Sequence, residues 1–191
     1  MGGNRQKIEQ LFFTVNGGSM KIRKATAKDV VALNKLVNSA YRGDSSRQGW
    51  TTEADLLDGI RTSEASLQAM IENSEAEILV AEDEEIVGCV YLEKKGRVLY
   101  LGMLTVSPML QAKGIGASLM QAAEEVAHLR DCNRIQMTVI TARETLIEYY
   151  RRKGYKDTGE RAPFPDDPAF GLPRQKLEFM VMEKVLNDTA D

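Results

Sequence analysis

Two short runs hold residue types whose spacing could do chemistry. The first is Gln111-Ala-Lys-Gly114-Ile-Gly116, which follows an apolar run cut at Ser107-Pro108 and opens an amphipathic segment. Pro108 has no N–H and pushes Ser107 into extended geometry, so a strand ends there. A helix starting at Gly114 would present free backbone N–H groups at the positive end of its dipole. Positions 111 to 114 read Gln, Ala, Lys, Gly, so no short polar side chain competes for those donors. Glycine at 114 and 116 also removes Cβ atoms that would hold a ligand off the main chain. This is the chemistry of an anion site fit for a pyrophosphate, with Lys113 adding charge beside it. The competing reading is a helix start whose glycines serve close packing on a sheet. The run is not a P-loop, because no GxxxxGK followed by Ser or Thr is present. It is not the dinucleotide fingerprint either, since Leu119 stands where a third glycine would be.

The second run is Tyr150-Arg-Arg-Lys-Gly154-Tyr155. Leu146 and Tyr150 are four apart on one helical stripe, so Tyr150 reads either as a core aromatic or as a phenol placed to move a proton. Gly154 is positioned to end that helix, with Tyr155 as the apolar residue that follows such a cap. Other reactive types carry little. His128 falls mid-helix and reads as a surface or packing residue. Cys89, among Val87, Val90 and Leu92, reads as a small buried hydrophobe, which argues against an acyl-cysteine mechanism. The two cysteines form no CxxC pair, so no metal site is expected and a reducing, cytoplasmic setting is.

The elements that must position these runs follow from periodicity. Ile115, Leu119, Ala122, Val126 and Leu129 give a helix over 114–130, and Ile135, Met137 and Val139 alternate as a strand. Before them, 77–81 and 86–93 read as a hairpin, and 98–106 as a long strand. A short strand at 21–24 precedes a helix capped by Thr26 with Val30, Val31, Leu33, Leu36 and Val37 inward. Residues 50–58 read as a short helix capped by Thr51 or Thr52, with Leu56, Leu57 and Ile60 inward. A brief turn spans 66–72, a helix 141–153, and strands begin at Tyr155 and Leu177. Three successive strands imply an antiparallel meander, and the unit from Val98 to Val139 a right-handed parallel crossover. The fold class is therefore α/β with a mixed sheet and helices on both faces.

The totals agree with one soluble domain. The chain has 191 residues, 43% hydrophobic, with a net charge of −3, which gives no basic footprint for nucleic acid. Its apolar runs fall well short of the ~20 residues that span a bilayer. The acidic balance slightly favours a cationic or neutral substrate. Residues 1–19 are expected to be an upstream extension, either poorly ordered or a short β-arm. Residues 20–187 form the domain, and 188–191 a tail.

With both runs on the page, the sequence resembles the GNAT superfamily of acyl-CoA-dependent N-acetyltransferases. Gln111-Ala-Lys-Gly114-Ile-Gly116 matches every fixed position of its Gln/Arg-x-x-Gly-x-Gly/Ala turn. Tyr150-Arg-Arg-Lys-Gly154-Tyr155 matches its Tyr-x-x-x-Gly-Tyr/Phe element, and one helix and one strand separate the two, as in the family. The likeness runs from Met20 to about Leu186 by element order and is specific over 99–155. It implies a mostly antiparallel seven-stranded sheet and acetyl-CoA, as cosubstrate, in a cleft between splayed parallel strands. The backbone of Leu104, Thr105 and Val106 would lie along the pantetheine arm. Gln111, Ala112, Lys113, Gly114, Ile115, Gly116 and Ala117 would hold the pyrophosphate, with Arg143 as a further phosphate ligand. Tyr150 would protonate the departing thiolate after direct attack by an amine of a small molecule or protein.

One departure concerns the base. Some relatives carry a glutamate early on the strand before the glycine turn, where this chain has Tyr100. Glu93 or Glu53, acting through water, are the candidates left, unless the amine arrives already neutral. The likeness also implies an acceptor side built from 41–58 and 161–174, with Trp50, Phe164 and Phe170 as aromatic lining. Asp44, Asp166 and Asp167 would attract a cationic amine there. A catalytically silent acyl-CoA-binding module is the rival reading. The apolar last strand leaves room for pairing into a homodimer.

Overall fold

The computed structural model describes residues 10–15 and 18–186. In chain order the elements are β1 (Gln10–Val15), β2 (Gly18–Lys24), α1 (Val30–Tyr41), α2 (Gly43–Ser46), β3 (Leu57–Asp58), α3 (Glu64–Glu72) and β4 (Ala76–Glu82). There follow β5 (Ile86–Lys95), β6 (Val98–Val106), α4 (Ile115–Leu129), β7 (Arg134–Ile140), α5 (Glu144–Arg152), β8 (Lys156–Pro163), β9 (Leu172–Pro173) and β10 (Glu178–Val185). The main sheet runs β1-β2-β4-β5-β6-β7-β10-β8. Every pair in it is antiparallel except β6 with β7, which α4 joins by the crossover. The expected seven strands are β2 through β10 of that sheet, and β1 adds an eighth as a hairpin with β2. Of the 1–19 extension, residues 1–9, 16 and 17 lie outside the described residues, as does the 188–191 tail.

Helices cover both faces, and the apolar pattern shows why. Along β4, Leu79 and Ala81 join the cluster under α4 and α5, while Ile78 and Val80 join the one under α1 and α3. A strand buried on both faces needs no polar alternation. The α4 stripe Leu119, Ala122, Ala123 and Val126 is buried against the first cluster at helical spacing.

The site depends on two irregularities in β6. Cys89 pairs with Thr105 but Tyr91 with Gly102, so β6 carries one extra residue opposite β5. The bulge falls at Met103, whose φ of 51° is left-handed for a non-glycine residue. It reverses the alternation. Leu99 and Leu101 face the α4 side, whereas Met103 faces α1 and α3, and Leu104 and Val106 take over the α4 side. Gly102 makes room beside it for the Tyr100 ring, whose Cε1 would lie 2.9 Å from a Cβ there. The second irregularity is a splay. β6 and β7 pair only at Val98–Arg134, Leu99–Ile135 and Tyr100–Gln136, after which the strands diverge.

Several expectations need correction. Residues 50–58 form no helix. Thr52 Oγ1 accepts from Ala54 N at 3.1 Å, the N–H groups of Leu56 and Leu57 both reach Glu53 O, and the chain then extends into β3 against β9. Leu57 is buried there, but Ile60 is exposed, as is Val31 on α1. The last strand is apolar on both faces because it lies inside the sheet, between β7 and β8. Both of its edges are paired within the chain.

Candidate active site

The splay opens two cavities, of about 320 Å³ and 330 Å³, on either side of β6. Both are of the size that holds small ligands. They share three lining residues, Tyr41, Leu104 and Tyr150. Tyr41, at the end of α1, donates its hydroxyl to the Leu104 carbonyl in the bulge. Tyr150 comes from α5. The junction is therefore built by one side chain from each helical layer meeting at the irregular point of β6.

One cavity contains the glycine turn. Gly114 sits at the N-cap of α4 with φ 87°, a left-handed backbone that glycine adopts without strain, and no side chain caps the helix. Gly116 decides between the two readings of the glycines. A Cβ there would meet only Tyr149 Oη and Val106 Cγ2, both at 3.6 Å, an ordinary contact. The protein's own packing thus does not require glycine at 116, which leaves the main chain there open to a ligand. Gln111 has a different task. Its Oε1 accepts from Trp50 N at 2.8 Å and its Nε2 donates to Thr51 Oγ1 at 2.7 Å, tying the 49–53 loop across the turn. Gln111→Ala is expected to lower stability by about 1–2 kcal/mol in a urea melt. An unchanged midpoint would show that the loop is held elsewhere.

The helix carrying Tyr150 ends as its sequence requires. Gly154, at φ 91°, donates to Arg151 O at 3.0 Å, and Tyr155 N donates to Tyr150 O at 3.1 Å. This is a Schellman closure, and the Tyr155 ring packs on Tyr150 with centroids 6.0 Å apart. The Tyr-x-x-x-Gly-Tyr spacing thus fixes Tyr150 by its backbone and its ring together. Its hydroxyl bonds no group among the described residues. Burial first, then the neighbouring Tyr41, pushes the Tyr150 phenol well above its ordinary value, with Arg143 opposing.

Residues 45–164 match the model of the acetyltransferase (GNAT) domain. The chain belongs to the GNAT family. It is 30% identical over 151 residues to the "Uncharacterized N-acetyltransferase YhfO" of Bacillus subtilis, covering 73% of this chain and 93% of that one. The match to "Uncharacterized protein YdhI" of the same organism is 31% identical over 77 residues, 40% of this chain and just under half (47%) of that relative. The PaiA N-acetyltransferase of Thermoplasma acidophilum, solved with coenzyme A, superposes with a TM-score of 0.65 at 18% identity. That superposition covers 88% of this chain and 99% of the other, and it establishes likeness of fold.

Within this GNAT chain the expected site residues divide. Leu104, Val106, Gln111, Ala112, Gly114, Ile115, Gly116 and Ala117 line the cavity at the glycine turn. Lys113 is exposed outside that lining. Thr105 is buried, with Oγ1 donating to Met103 O at 2.9 Å, and lines neither cavity. Arg143 lines the other cavity and not the one at the turn, and its guanidinium is engaged there: it donates to Glu53 Oε1 at 2.9 Å and to Thr51 O. Glu53 lines that second cavity too, with Oε2 bonded by Arg42 and Oε1 by Arg143. Glu93 pairs with Lys95 at 3.1 Å and lines neither cavity. Trp50 lies over Tyr149, 5.3 Å between centroids, on the glycine-turn side and not the acceptor side. Phe164 lines the second cavity, stacked on Phe179 at 5.2 Å. The Phe170 side chain lies outside the described residues. Asp44, Asp166 and Asp167 do not line it.

Tyr41 and Arg42 fall within the expected 41–58 stretch but were not singled out there, and Arg61, outside it, was missed. Tyr41 ends an ordinary helical stripe, and nothing in its spacing marks it for Leu104. The two arginines stand in loop sequence, without a motif, and come to the acceptor side only through the tertiary fold.

Proposed function

We propose that this chain transfers an acetyl group from acetyl-CoA to a primary amine of a small molecule or protein, by direct attack and with no covalent enzyme intermediate. The observation that carries this reading is the meeting of the two cavities at Tyr150, one of them holding an uncapped helix mouth with room at Gly116. Acetyl-CoA supplies the thioester carbonyl, at which a C–N bond forms and the C–S bond breaks. The N–H groups at the start of α4 hold the pyrophosphate. Tyr150 keeps its proton through the approach, gives it to the departing sulfur and recovers one from solvent. The amine loses its own proton to water, having neither carboxylate free at the junction. The reaction is assigned to the cytoplasm, a reading supported by two free, buried cysteines.

A second reading is a silent acyl-CoA-binding or regulatory module, favoured by the engagement of both Glu53 oxygens. Calorimetry with acetyl-CoA and a thiol-release assay over an amine library separate the two. The transferase reading expects saturable binding and at least one amine that accelerates thiol release. Binding without any such amine would favour the module, and no binding would sink both.

A further inference from the structure

The acceptor cavity is charged in the sense opposite to the chain as a whole. Three guanidiniums, from Arg42, Arg61 and Arg143, line it together with a single carboxylate, Glu53. Glu53 is shared between Arg42 and Arg143, which leaves it no oxygen unengaged. Arg61 has no carboxylate partner among the described residues. Its position is nonetheless built. Arg61 N donates to Asn38 Oδ1 at 2.7 Å, and Asn38 Nδ2 donates to Thr62 O at 3.1 Å, so one α1 side chain clamps the backbone on both sides of it. Its guanidinium carbon stands 5.6 Å from the centre of the Tyr41 ring, and that of Arg143 stands 5.8 Å from the same ring. Tyr41 is the ring whose hydroxyl reaches Leu104 at the junction of the cavities. Two cations are thereby held around the side chain that points at the reaction centre.

Guanidiniums drawn out of water need an anion, and their planar fork matches an oxyanion in two-point contact. We propose that the acceptor is an amine that also carries an oxyanion, a carboxylate or a phosphoryl group, and that Arg61, beside Arg143, receives it. The inference rests on the acetyl-transfer reading and names its substrate class. An amino acid fits: the oxyanion meets the arginines, the amine faces the junction, and the apolar part lies against Tyr91, Tyr100, Phe164 and Phe179, which also line the cavity. Polyamines and other purely cationic amines are disfavoured by a lining that holds three guanidiniums and, among the described residues, one carboxylate.

Calorimetry on the full chain loaded with coenzyme A tests this without turnover. The probes are the N-acetyl amino acids, their C-terminal amides, and N-acetyl aminomethylphosphonate. At least one acid or phosphonate is expected to bind. The amide of a binding acid is expected to be weaker by at least about tenfold, the loss of a charge-assisted contact. Arg61→Gln is expected to bring the acid down to the amide, Arg61→Lys to restore part of the difference, and both to leave coenzyme A affinity unchanged. Carboxylate and phosphonate arms identify which oxyanion is preferred. Equal binding of acid and amide, no binding of any oxyanion probe at millimolar concentration, or a preference that survives Arg61→Gln would overturn the inference alone. Failure of coenzyme A itself to bind would overturn the transferase reading and this inference with it.

Discussion

Gly116→Val loses about 100-fold or more in affinity for acetyl-CoA by calorimetry, while its melting temperature stays within a few degrees of the parent's. The binding loss follows from geometry. On the proposed placement, a pyrophosphate oxygen in hydrogen-bond reach of the first α4 N–H groups would occupy the space a branched side chain at 116 fills. Losing about two charge-assisted bonds, at about 1.5 kcal/mol each, amounts to about 3 kcal/mol and hence about 100-fold. The fold is spared because the new Cβ meets its nearest neighbours at 3.6 Å, and because valine is a slightly better helix former than glycine. Gly114 would be the wrong position for this experiment. With φ at 87°, a β-branched residue there strains the turn itself, and lost binding would not separate from lost structure. Unchanged affinity in Gly116→Val would remove the α4 mouth as the anion site.

How much of this was legible depends on whether a signal is local. The α4 and β7 unit was readable because Leu119, Ala122 and Val126, then Ile135, Met137 and Val139, declare their periods over a few residues. The turn was readable because its glycines break that period at a helix start. The Tyr150 helix end was readable because Gly154 and Tyr155 close it within six residues. The failures share the opposite property. Residues 50–58 carry helix-like spacing, but Gln111 and Arg143 bond the 50–53 backbone and side chains from 60 to 92 positions away. Four long-range hydrogen bonds override a weak propensity. The bulge at Met103 gave no warning, because Leu99, Leu101 and Met103 alternate in sequence as if on one face. Only pairing with β5 reveals that the third has turned over. The charge lining the second cavity was not legible for a related reason. The net charge of −3 is a property of the whole surface, whereas the acceptor side collects arginines from α1's end, a loop and α5's start.

Tyr150→Phe keeps its affinity for acetyl-CoA within about twofold and loses about 10²–10³ in kcat, the range expected when a positioned proton donor is removed. Stability is expected to change little, since the deleted hydroxyl has no partner among the described residues whose bond could be lost. The same chemistry sets the sign of the pH profile. As a proton donor the phenol would work in its protonated form, and burial raises its proton affinity, so in that role Tyr150 would stay competent through neutral and mildly alkaline solution. The rate is expected to rise with pH as the amine becomes neutral, with no fall attributable to Tyr150 below about pH 10, the ordinary tyrosine value. Unchanged turnover in the phenylalanine variant would take Tyr150 out of the reaction and leave it as the ring that Tyr155 packs against. A descending limb near neutrality that persists in the variant would assign the proton to another group at the junction, and Tyr41, bonded to Leu104, is the next hydroxyl there.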